Sequence, residues 1–107
     1  DVAVPIPLVS AALADDDTSV SYAASEVLAK FPGPAALNSI AALLTANDVE
    51  LQFGALRALA LRADLASIPH LRKAAPQLDP MIRGYADTLL QELEERQRAR
   101  AAAPPKG

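Results

Sequence analysis

The stretch LNSIAALLTANDVELQFGALRALALRADLAS, Leu37 to Ser67, decides the fold because the segments on either side repeat it. Moving back by 31 residues lays Leu51, Ala55 and Leu59 onto Val20, Ala24 and Leu28. Moving forward by 31 lays them onto Ile82, Ala86 and Leu90. The register extends upstream through Asp17, Asp48 and Asp79, through Leu13, Leu44 and Ala75, and through Ile6, Leu37 and Ile68. Val9, Ile40 and Leu71 form a further column. A fixed period of this length marks stacked supersecondary units, and apolar spacings of three and four make the units helical. One short helix pair cannot bury its own stripes. Stability must therefore come from stacking each pair on its neighbour, roughly as a sum of unit and interface contributions.

The chain then divides into an extended lead-in at 1–5, units at 6–36, 37–67 and 68–95, and a fraying helix end and disordered tail at 96–107. The first unit is expected to hold a helix from Pro7 to about Ala14. A second helix, Thr18 to Phe31, buries Val20, Ala24, Val27, Leu28 and Phe31. The second unit repeats the plan near Leu37 to Ala46 and Val49 to Arg62. The third has helices from Ile68 to about Ala75 and from Pro80 onward, the latter burying Ile82, Tyr85, Ala86, Leu89, Leu90 and Leu93. Asp17, Asp48 and Asp79 stand where an N-cap carboxylate accepts from the next turn. Pro80 suits a first helical position.

The string D-x-x-[VLI]-x-x-x-A-x-x-x-L, found three times between Ile6 and Leu93, resembles the HEAT repeat. It is most similar to the short bacterial HEAT-like type also found in phycobilisome-lyase proteins. The resemblance implies an all-α protein, an α-solenoid of three stacked antiparallel helix pairs. In that family an Arg usually follows the first apolar residue of the second helix and pairs with aspartates of adjacent repeats. Here the position holds Ser21, Gln52 and Arg83. The resemblance thus implies a partial ladder, with Arg83 reaching Asp48 or Asp79. The family includes scaffolds, adaptors, lyases and a few enzymes, so function has to be read from the surface.

At 107 residues the chain suits one domain, and with 51% hydrophobic but only 4% aromatic residues its core is built on close Ala-rich helices. No cysteine is present, which excludes disulfides and Cys-ligated zinc. The net charge of -3, the lack of Trp and the lack of a base-stacking cluster argue against nucleic acid. No apolar run approaches membrane-spanning length, and DVAVPIPLVS is unlike a signal peptide. The expectation is a cytoplasmic segment without membrane contact. Beginning at Asp, it reads as a processed product or an excised domain.

Residues suited to catalysis are sparse. His70 is the single histidine, and its helical neighbours Ala66, Lys73 and Ala74 ligate no metal. Asp15-Asp16-Asp17 lacks the alternation, glycine and terminal glutamate of a calcium loop. No nucleophile elbow or phosphate loop occurs, so neither catalysis nor a cofactor is expected. Arg57, Arg62, Arg72 and Lys73 read as solvated faces, a rim for an acidic partner.

Apolar excess outside the core columns is the stronger signal. Tyr22 and Phe53 share one repeat position. Leu56 stands where the other units carry Ser25 and Asp87, and Leu61 where they carry Lys30 and Glu92. Exposed apolar clusters mark binding surfaces, although Phe53 is equally suited to sealing the seam between units. Neither terminal unit has a clearly polar outer face, and Leu8 and Ala11 lie on the outside of the first helix.

The function read from these residues is a noncatalytic protein–protein interaction or scaffold module. Its partner, another protein or a second copy, docks on the second-helix face at Tyr22, Phe53, Leu56, Arg57, Leu61, Arg83 and Asp87. One alternative is a fragment of a HEAT-like lyase or chaperone holding a chromophore or other ligand, which requires an apolar cleft. Another is a spacer within a larger scaffold.

Overall fold

A computed structural model describes residues 6–102, with side chains from Val9 to Ala102. The expected lead-in at 1–5 and the end of the tail at 103–107 lie outside the described residues. Six α-helices follow in order: α1 (Ile6–Leu13), α2 (Thr18–Lys30), α3 (Pro34–Leu43), α4 (Val49–Arg62), α5 (Ile68–Ala74) and α6 (Pro80–Ala102). Short 3-10 turns at Leu65–Ser67 and Ala75–Gln77 flank α5, and no strand occurs among the described residues. The helices pack as the pairs α1/α2, α3/α4 and α5/α6. Second helices then stack in the order α2, α4, α6. The protein is an α-solenoid.

Carboxylates start the second helices. Asp17, Asp48 and Asp79 each accept a backbone N–H two residues on, from Ser19, Glu50 and Met81, all at 2.9 Å. Each bond satisfies a donor that has no partner within its helix. α2 gives way to Pro32-Gly33, with Gly33 at φ 92°, a conformation natural to glycine. α4 stops at Ala63, held in the left-handed region at φ 51°. Arg62 fastens these two exits together by donating to the carbonyls of Phe31, one period earlier, and Gly33, while also meeting Asp64 at 3.3 Å.

The central columns form the core. Leu28, Ala55, Leu56, Leu59, Leu71 and Ala86 are all fully buried. Gly54 permits a close approach between α1 and α4: a Cβ there would stand 2.6 Å from a methyl of buried Leu13.

Several expectations are corrected. α3 begins at Pro34 rather than Leu37, since proline is pre-set for a first helical turn. It yields at Leu43 to i→i−3 bonds from Leu44, Thr45 and Ala46, a tightening common at helix ends. Leu56 is not exposed. Val20 and Val27 are not buried; they are 40% and 53% exposed because no unit among the described residues stacks on the outside of α2. α6 itself runs on to Ala102, and every residue from Arg96 to that point is exposed.

The charged ladder also differs from what the resemblance implied. Arg83 reaches neither Asp48 nor Asp79. It donates to the carbonyls of Pro76 at 2.9 Å and Leu78 at 3.2 Å, closing its own unit's turn. The joint between second and third units is made by Gln52 instead, which donates to the Ala46 carbonyl at 2.8 Å and accepts from the Asp79 N–H at 3.2 Å.

Candidate protein-binding face

The stacking of α2, α4 and α6 makes one continuous face, and among the described residues three large exposed hydrophobic residues gather on it around Arg57: Tyr22, Phe53 and Leu61. Their spacing follows from the repeat. Tyr22 and Phe53 are one period apart, and the next place in that column is Gly84. Where α6 lacks a side chain, the neighbouring Tyr85 supplies one. Its ring meets Phe53 edge-on, centroids 5.5 Å apart and planes at 60°, an arrangement favoured by the ring quadrupoles.

Arg57 sits at the centre of this cluster. Its guanidinium carbon lies 3.3 Å from the Tyr22 ring centroid and 5.4 Å from that of Phe53. The residue is only 9% exposed, so Arg57 is not the solvated rim expected from the sequence. Neither is Arg62, whose side chain is equally covered. Arg57 forms no ion pair among the described residues, and its Nη2 is buried without a hydrogen-bond partner. What balances its charge is the π face of Tyr22, a contact worth more as water is excluded. Lysine would not substitute there, because the contact uses a flat, weakly hydrated cation.

Shallow clefts open on both sides of this arginine. One is bordered by Tyr22, Glu26, Ala60, Leu61 and Tyr85. The other is bordered by Asp15, Asp16, Ser21, Glu50 and Phe53. Burial is the main cause that raises the Tyr85 pKa above its ordinary 10.0; the charge of Arg57 opposes the rise, while Tyr22 and Glu92 add to it. The cluster therefore presents one held cation, three rings and a carboxylate rim. It has no nucleophile beside a base, and no group of metal-ligating side chains occurs among the described residues. His70 is half-buried against a different cleft, with Asn38, Lys73 and Gln77.

A profile of HEAT repeats matches residues 6–91 of this chain. The chain belongs to the HEAT-repeat family. No curated protein and no solved structure gave a significant match. HEAT repeats generally mediate protein–protein interaction and are typically noncatalytic. No described helix of this HEAT domain is long and apolar enough to cross a membrane.

Of the residues singled out in the sequence, the HEAT stack brings Tyr22, Phe53, Arg57 and Leu61 together. It does not bring in Leu56, which is fully buried between units. Arg83 is exposed but occupied with its own turn, and Asp87 is exposed on α6, the last of the described helices. One member was missed. Tyr85 read as core, although its place beside Gly84 signals a ring filling a gap in the Tyr22/Phe53 column.

Proposed function

We propose that this HEAT domain is a noncatalytic interaction module, a scaffold or adaptor, that binds a partner protein through the face formed by Tyr22, Phe53, Arg57, Leu61 and Tyr85. Arg57 carries the reading. An arginine nine-tenths covered, seated on one ring and near another, with one nitrogen unpaired, is a side chain already ordered before any partner arrives. Preorganisation of this kind lowers the entropy lost on binding. Binding energy in interfaces also concentrates in tyrosine and arginine surrounded by residues that exclude water. Leu61 supplies such a border, being 57% exposed where the sister units carry Lys30 and Glu92.

The test compares partner capture by the wild-type domain with that by Leu61→Lys and Tyr22→Ala. Both lose the partner that the wild type retains, while the melting temperature of Leu61→Lys stays unchanged. A partner held equally well by both variants would sink the proposal. So would a captured protein that binds Val20 or Val27 variants less well and these two normally.

A further inference from the structure

The outside of the first unit is a second apolar surface, remote in register from the Arg57 cluster. On α4 and α6 the matching residues, Leu51/Ala55/Ala58 and Ile82/Ala86/Leu89, are buried or half-buried within the stack. On α2 the same register falls on Val20, Ala24 and Val27, with both valines largely in water. With Val9, Ala12 and Ala23 they line an apolar trough whose single polar member is Ser19. The fold thus repeats one stacking face three times and uses it twice.

The other end of the solenoid does not complement this face. Its α6 surface carries Arg83, Asp87 and Gln91, all exposed. Head-to-tail stacking would press these polar groups onto the valines and leave them desolvated, which is costly. Pairing of like with like remains, and it closes on itself as a two-fold dimer.

The sequence of α2 is its own complement about the point between Ala23 and Ala24. Laid antiparallel on a second α2, Val20 falls opposite Val27 of the second copy, and Val27 opposite its Val20. The two small alanines occupy the crossing, where they let the helix axes approach closely. At each end the acidic turn Asp15–Asp17 falls beside Lys30 of the second copy, and all four of these residues are exposed. Apolar pairing at the centre and opposite charge at both ends thus select one register.

We infer that two copies of this chain associate through their first units, α2 against α2 in antiparallel register. One helix-pair face on another is a small contact, of the size that gives transient complexes, so the dimer dissociates on dilution.

Sedimentation equilibrium of the full chain over a dilution series tests this. The wild type shows a monomer–dimer equilibrium that weakens as salt is raised. Val20→Lys or Val27→Glu alone weakens association at least tenfold, and Lys30→Glu, on the rim, weakens it without touching the apolar centre. Carrying Val20→Lys and Val27→Glu together restores association, because the new cation and anion face each other across the two-fold axis. Circular dichroism of each variant remains that of the wild type, since both valines are exposed. A monomer at every concentration, a dimer indifferent to these changes, or a paired variant no better than the single ones would overturn the inference.

Discussion

Gly54 and Gly84 are both helical, yet replacing each by alanine has opposite consequences. Alanine favours a helix over glycine by about 1 kcal/mol. At Gly84 a new Cβ meets nothing within 4 Å, so Gly84→Ala raises stability by roughly that amount. At Gly54 the same atom collides with Leu13, which is 2% exposed and has little room to retreat. Gly54→Ala therefore destabilises, and denaturant titration of the two variants reads the two signs. The aspartates divide in a similar way. Asp79 caps α6 through Met81, and Asp79→Ala costs about 1 kcal/mol. Asp16 accepts no hydrogen bond among the described residues, so Asp16→Ala leaves the denaturation midpoint in place. Tyr85 gives a pH dependence. Its folded pKa is raised, so the neutral phenol favours the folded state. That contribution is complete below the unfolded value, ordinarily about 10, and is lost as pH rises through the higher folded value. With Tyr22→Phe leaving Tyr85 as the single tyrosine, ultraviolet titration shows ionisation above the ordinary value, returning to it on unfolding.

Helices were legible in the sequence because the repeat states their columns three times. The Ala55 and Leu59 positions of α4 are fully buried as the period requires. Leu59→Ala in this shared column costs about 2–5 kcal/mol by chemical denaturation. Leu56 departs from the column pattern for a physical reason. Its counterpart Ser25 is itself fully buried, and hides its polarity by donating to the Ser21 carbonyl at 3.0 Å. Its other counterpart, Asp87, is exposed because no further helix among the described residues covers that side of α6. A polar residue in a sister unit thus signals exposure only where that unit has solvent beyond it. Leu56→Asp consequently unfolds the domain or lowers its melting temperature sharply, by burying an unpaired charge. Leu61→Lys, five residues on and open to water, does neither. The candidate site was legible in Tyr22, Phe53 and Leu61, where column positions depart from the core pattern. Arg57 was legible as a basic residue but not as a covered one, because the ring it sits on, that of Tyr22, comes from a different helix.

Across the whole molecule the stack measures 50 × 33 × 22 Å, drawn out by an α6 that outlasts the unit it belongs to. Leu93 is its last core residue, and Glu94 still joins α5 through Arg72 at 2.6 Å. From Glu95 to Ala102 every residue is exposed. A chain ending after Glu95 therefore melts within a few degrees of the full one, as expected for removal of surface residues without partners. The aromatic arrangement at the face has an optical consequence. This chain has two tyrosines and no tryptophan. One tyrosine lies under Arg57 and the other against Phe53, so its near-ultraviolet absorption and emission arise almost wholly from that one cluster. The protein carries its own label where the partner is proposed to dock. Docking there would change tyrosine emission directly, whereas an event elsewhere on the solenoid would leave that signal silent.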